Sequence, residues 1–146
     1  MLFRYVQAYL AEISKLNDLP YMRGEKKFVS AENAENFSKI VTLVESFLPE
    51  INAHLDDSSL CHAQKLSWKY LTYHAEHCKI FATAMALNAG GEPEKAKEKM
   101  NEALERAYNI VKEIQNVFDN RVLFNVINWK INNLWTWTKN ELNENK

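Results

Sequence analysis

The chain has 146 residues, 47% of them hydrophobic, with only three Gly and three Pro and a net charge of −1 from 18 basic and 19 acidic side chains. That composition excludes disordered and collagen-like chains, and charge parity leaves no electrostatic footprint for nucleic acid. The length fits a single domain, 1–146, that buries about two thirds of its unfolded surface without a disulfide or metal staple, and the scarcity of turn residues argues against a sheet-rich fold.

Leu2, Val6, Tyr9, Ile13 and Leu16 recur at helical spacing and predict a first helix with one buried stripe. Asn17, Asp18 and Pro20 stop it, and residues 17–29 form a loop longer than the roughly 2–8 residues usual between helices. A second helix is expected to start with Ser30 as N-cap, with Glu32 and Glu35 near its positive end and a stripe of Phe37, Val41, Val44, Leu48, Ile51 and Leu55. Pro49 lies inside that run and predicts a kink or break near Ser46.

The Asp56–Ser59 cluster supplies capping oxygens for a third helix that ends at Gly90 and Gly91. This helix is apolar over most of its circumference, which marks it as central. Pro93 suits the first turn of a fourth helix with the stripe Ala96, Met100, Ala103, Leu104, Ala107, Val111, Ile114 and Phe118. Glu94–Lys97 and Glu102–Arg106 are spaced to pair on its wet face. Asp119 and Asn120 mark a bend before a fifth helix over about 121–142, burying Leu123, Val126, Ile127, Ile131 and Leu134. The pieces add up to an all-α antiparallel bundle of four to five helices with one long loop.

The longest apolar stretch, residues 80–87, is far too short to cross a bilayer, and the N-terminal residues lack a signal-peptide core. Cys61 and Cys78 stand seventeen positions apart; on one helix that is about 25 Å, against about 5.5–6 Å for a bridge, so both read as free thiols.

The most chemical-looking stretch is His74-Ala75-Glu76-His77-Cys78. On a helix His74 and Cys78 lie one turn apart, with His77 about 60° to the side of His74. They could serve a metal or an activated thiol if His54 or Glu76 joined them. No second cysteine pair, His-Glu-x-x-His, nucleophile elbow or glycine-rich phosphate loop accompanies them. The plainer reading places His74 and Cys78 in the core, continuing the stripe of Leu71, Phe81 and Met85, with no metal and no cofactor.

On the fifth predicted helix Arg121, Asn125, Asn128, Asn132, Thr136 and Lys139 form a polar ridge beside Trp129, Trp135 and Trp137. Amides donate and accept while indoles stack, a pairing that suits sugar hydroxyls or a partner protein; the bland reading is a solvated face closing the bundle. Tyr21 and Met22 in the long loop either join a contact patch or cap the bundle end.

The run HAEHCKIFATAMALNAGGEPEKAKEKMNEALERAYNIVKEIQNVFD, residues 74–119, resembles the helical C-terminal modules that follow the catalytic barrel in some large bacterial glycoside hydrolases. The likeness lies in a small-residue helix, 82–89, stopped by Gly90 and Gly91, then a Glu/Lys/Ala helix and a bend at Phe118 and Asp119. The resemblance implies an accessory role beside a carbohydrate-active protein or its glycan. It also implies catalytic carboxylates outside this chain and an extracellular location; without it a cytoplasmic one is expected. The sequence-based expectation is thus a non-enzymatic interaction module with contacts at Asn125, Asn128, Asn132, Trp129, Trp135, Trp137, Tyr21 and Met22. The alternative is a small metal- or thiol-dependent protein using His74, His77 and Cys78.

Overall fold

The computed structural model describes residues 2–16 and 27–114, with side chains over 4–13, over 27–106 and at 109, 110 and 113. These residues form four helices: α1 (Leu2–Leu16), α2 (Ala31–Ala53), α3 (His62–Ala89) and α4 (Pro93–Ile114). No strand occurs among them, so the fold is an all-α bundle. The fifth expected helix lies outside the described residues.

Helix α3 is the middle of the assembly, packed against α2 on one side and α4 on the other, while α1 packs along α2. Cross-helix pairs fix the directions. Arg4 meets Glu50, and Lys79 meets Glu45, so α2 runs antiparallel to both α1 and α3. Arg106 meets Glu76 and Glu113 meets Lys69, which makes α4 antiparallel to α3. Helix α1 therefore runs parallel to α3.

Local chemistry explains where the helices begin and end. The Ser30 hydroxyl accepts from the Asn33 amide at 3.2 Å, the expected N-cap of α2. Just before it Phe28 is fully buried against Phe37, and the Ser30 amide donates to the Ala89 carbonyl at 3.0 Å, tying the start of α2 to the end of α3. The Gly stop is also realised. Gly91 has φ 82°, the Glu92 amide donates to the Leu87 carbonyl at 2.9 Å, and the Gly91 amide donates to Asn88 at 3.1 Å. These are the paired bonds of a Schellman cap, which needs a left-handed residue where Gly stands.

Four expectations are corrected. Helix α2 continues unbroken through Pro49 to Ala53. Proline removes one backbone donor, but Val44 and Ile51, both fully buried, hold the helix against α3 on either side of it. Helix α3 starts later than the acidic cluster, because Asp57 spends its carboxylate on the Ser59 amide and hydroxyl. Cys61 takes the N-cap position instead, its amide donating to the Gln64 side chain at 2.9 Å. In α1 the buried stripe is rotated: Tyr5 is fully buried while Val6 is 38% exposed. Ile40 was likewise not in the expected stripe of α2, yet it is 1% exposed.

The core joins Tyr5, Phe28, Phe37, Ile40, Val44 and Ile51 to a run of small residues on α3, chiefly Ala75, Cys78, Ala82 and Ala89. Small side chains let α2 approach α3 closely, and the rings of α1 and α2 fill the space that remains. Helix α4 buries Ala96, Met100 and Ala103, the first half of its expected stripe. Asn88, in the last turn of α3, is 1% exposed and its side-chain amide oxygen has no hydrogen-bond partner among the described residues, a polar group buried at a cost.

Candidate functional site

The sequence singled out two places for chemistry. The ridge and indoles of Asn125, Asn128, Asn132, Trp129, Trp135 and Trp137, with Tyr21 and Met22 of the loop, lie outside the described residues. The His74–Cys78 stretch lies in the middle of α3, where its geometry is defined.

One helical turn brings His74 and Cys78 together, as their spacing requires. The Cys78 sulfur stands 3.5 Å from Nε2 and 3.8 Å from Nδ1 of His74. A thiol aimed along one nitrogen lone pair would lie much farther from the other nitrogen, so the sulfur rests against the ring rather than in line with either donor. Helix α1 supplies the rest of the surroundings. The Tyr5 hydroxyl approaches Nδ1 at 3.4 Å, a long contact, and the rings of Tyr5 and Tyr9 meet the imidazole edge to face at 6.3 and 5.6 Å. Tyr9 also hydrogen-bonds the Cys78 thiol. Tyr5 stacks on Tyr9 and packs edge-on against Phe47 of α2.

This packing sets the protonation states. Burial pushes the Cys78 thiol above its ordinary value near 9.0, and the bond from Tyr9 offsets only part of the rise. Burial also raises the Tyr5 and Tyr9 hydroxyls, with a smaller contribution from Cys78. The His74 imidazole is pushed below its usual 6.5 by the same desolvation. One side of His74 does reach solvent, so it is not the core histidine the stripe suggested. The rings and sulfur on its remaining sides are what disfavour the cation. At neutral pH the cluster therefore holds a thiol and a neutral imidazole, the opposite of the thiolate–imidazolium pair that an activated cysteine needs.

The other members of the alternative site point elsewhere. His77 turns toward the Ala103 backbone of α4; its pKa is lowered by burial and by His74, and its Nδ1 has no partner among the described residues. Glu76 is committed to Arg106. His54 stacks on Trp68 at 4.0 Å. Among the described residues no three His, Cys, Asp or Glu side chains converge as a metal site would require. Cys61 is an exposed free thiol and Cys78 a buried one.

The sequence reading missed two features. Tyr5 completes the aromatic surroundings of His74; its i, i+4 relation to Tyr9 was the available signal, hidden because Val6 fitted an equally regular stripe. The second is a polar seam between α3 and α4. The Tyr73 hydroxyl donates to Glu113 at 2.7 Å, Lys69 meets the same carboxylate, and Arg106 crosses to Glu76. Arg106 thus leaves the expected partner Glu102, which takes Lys99 at 2.7 Å instead. A cleft of about 380 Å³ lined by Tyr73, Glu102, Glu105, Arg106 and Glu113 opens along this seam.

Among the described residues no helix is long and apolar enough to cross a membrane. Comparison with protein-family models, curated proteins and solved structures returns no match.

Proposed function

We propose that this chain is a non-catalytic helical module that acts by binding another protein. The observation that carries this reading is the state of its best-equipped cluster. Tyr5, Tyr9, His74 and Cys78 pack against one another in their neutral forms, with the sulfur lying against the imidazole. Such an arrangement orders a helix interface. Val6 and Leu10, 38% and 56% exposed on α1, add apolar surface available for a contact.

The finer reading is association with a carbohydrate-active protein or its glycan. Its support is the resemblance of residues 74–119 to glycoside-hydrolase accessory modules and the amide–indole pattern of residues 121–139. Titration of tryptophan fluorescence against a panel of oligosaccharides tests it. A saturable shift abolished by Trp137→Ala and Asn132→Ala is expected. A flat response to every glycan would remove the carbohydrate reading and leave protein binding, for which loss of partner capture by Leu10→Asp is the test.

The second reading is a metal- or thiol-dependent protein, favoured by the 3.5 Å approach of Cys78 to His74. It requires a bound metal near stoichiometry, measured on protein purified without chelator, or a Cys78 thiol reactive in the native state.

A further inference from the structure

Helix α1 is attached unlike the other three. Its backbone packs along α2, and among the described residues it reaches α3 through the rings of Tyr5 and Tyr9. An ion pair of this helix, Arg4 with Glu50 at 3.2 Å, joins two exposed side chains and holds little. Leu10 is 56% exposed and Val6 38%, so the docking of α1 rests chiefly on Tyr5, Tyr9 and Ile13. A helix with few buried contacts belongs to the part of a protein that opens first. Beneath its two tyrosines lies Cys78, 8% exposed, whose sulfur touches Tyr9 and His74. The second thiol, Cys61, stands exposed at the start of the same helix.

We infer that α1 is a latch: it lifts from α2 and α3 as a unit while the α2–α3–α4 body stays folded, and its lifting gates access to Cys78. The closed state is held by the Tyr5–Tyr9–His74–Cys78 contact. In the open state the surface of α3 around His74 and Cys78 loses the cover of Tyr5 and Tyr9, and the thiol meets solvent.

Labelling by an aromatic disulfide reagent across a series of denaturant concentrations tests this on the full chain. Cys61→Ser leaves Cys78 as the reporter, and Cys78→Ser leaves Cys61 as the exposed reference. Cys78 is expected to react at least about tenfold slower than Cys61 in native buffer. Its rate should rise with denaturant on a slope well below that of global unfolding followed by helical circular dichroism. Tyr9→Ala in the Cys61→Ser chain should speed Cys78 labelling about tenfold or more, with a much smaller shift of the global midpoint. Two results would overturn the latch. One is Cys78 reacting as fast as Cys61. The other is Cys78 labelling with the slope of global unfolding, so that the thiol is reached only when the whole bundle opens.

Discussion

The two flanks of α3 solve the same packing problem with different chemistry. Toward α1 and α2 it presents Ala75, Cys78 and Ala82, and the gap is filled by rings and aliphatic side chains: Tyr5, Phe47, Ile40, Val44 and Ile51. Toward α4 the half near the glycine stop is dry, with Ala96, Met100 and Ala103 buried, but the other half is a seam of Lys69, Tyr73, Glu76, Arg106 and Glu113. Cohesion therefore resides in the first flank. The seam contributes direction and register, since exposed ion pairs are worth about 0–1 kcal/mol each. The comparison also explains why a histidine and a cysteine on the first flank look chemical in the sequence yet remain neutral. Cys78 is buried, and His74, though it reaches solvent on one side, has rings and sulfur for its other neighbours.

Substitutions should separate the flanks. Ile40→Ala removes a branched side chain that is 1% exposed and leaves a cavity between α2 and α3; a loss of about 2–5 kcal/mol is expected in denaturant unfolding. Next comes the connection that returns α4 to α3. Gly91→Ala must place a Cβ at φ 82° and should cost about 1–2 kcal/mol. Gly90→Ala, at φ −77°, should stay within about 0.5 kcal/mol. Equal losses at the two glycines would show that the left-handed turn is not what closes α3.

The pH dependence should report the rings' side. His74 and His77 have folded pKa values below the ordinary 6.5, so the unfolded chain takes up protons first. Stability is then full above about pH 6.5 and declines as pH falls below it, before the carboxylates titrate. At the other end Cys78, Tyr5 and Tyr9 are raised, so stability falls as pH climbs through about 9 to 10 and the unfolded groups ionise. His74→Gln should flatten part of the acid limb. Thermal unfolding from pH 5 to 10 measures both limbs; a curve flat from 6.5 to 5 would contradict the neutral imidazoles. The smallest effect belongs to the seam. Tyr73→Phe, which removes the hydroxyl bound to Glu113, should change stability by about 1 kcal/mol or less, and the seam's ion-pair contribution should shrink further in high salt.

Much of this bundle was legible in the sequence. Ser30, Gly91 and Pro93 carry local chemistry with one sensible use, and each sits where that chemistry places it. The apolar residues spread around most of α3 announced a central helix in the same way. What escaped was set by tertiary choice. Val6 and Tyr5 each fit a regular stripe in α1, and the positions of Phe47 and His74 on neighbouring helices decide between them. Arg106 had a partner one turn away in Glu102 and a better placed one across the seam in Glu76. Pro49 reads as a helix breaker until the burial of Val44 and Ile51 on either side is weighed against one lost donor. The candidate site follows the same division. The adjacency of His74 and Cys78 is a property of helix geometry, whereas their protonation is a property of the tyrosines that cover them.

The most direct test of the central claim is the pH dependence of Cys78 alkylation in the Cys61→Ser chain under native conditions. The packing account predicts slow reaction at pH 7 and a rate that keeps rising past pH 9, the behaviour of a buried thiol with a raised pKa. Fast reaction at neutral pH, with an inflection well below that value, would mean a thiolate activated by His74 and would make this cluster a catalytic site.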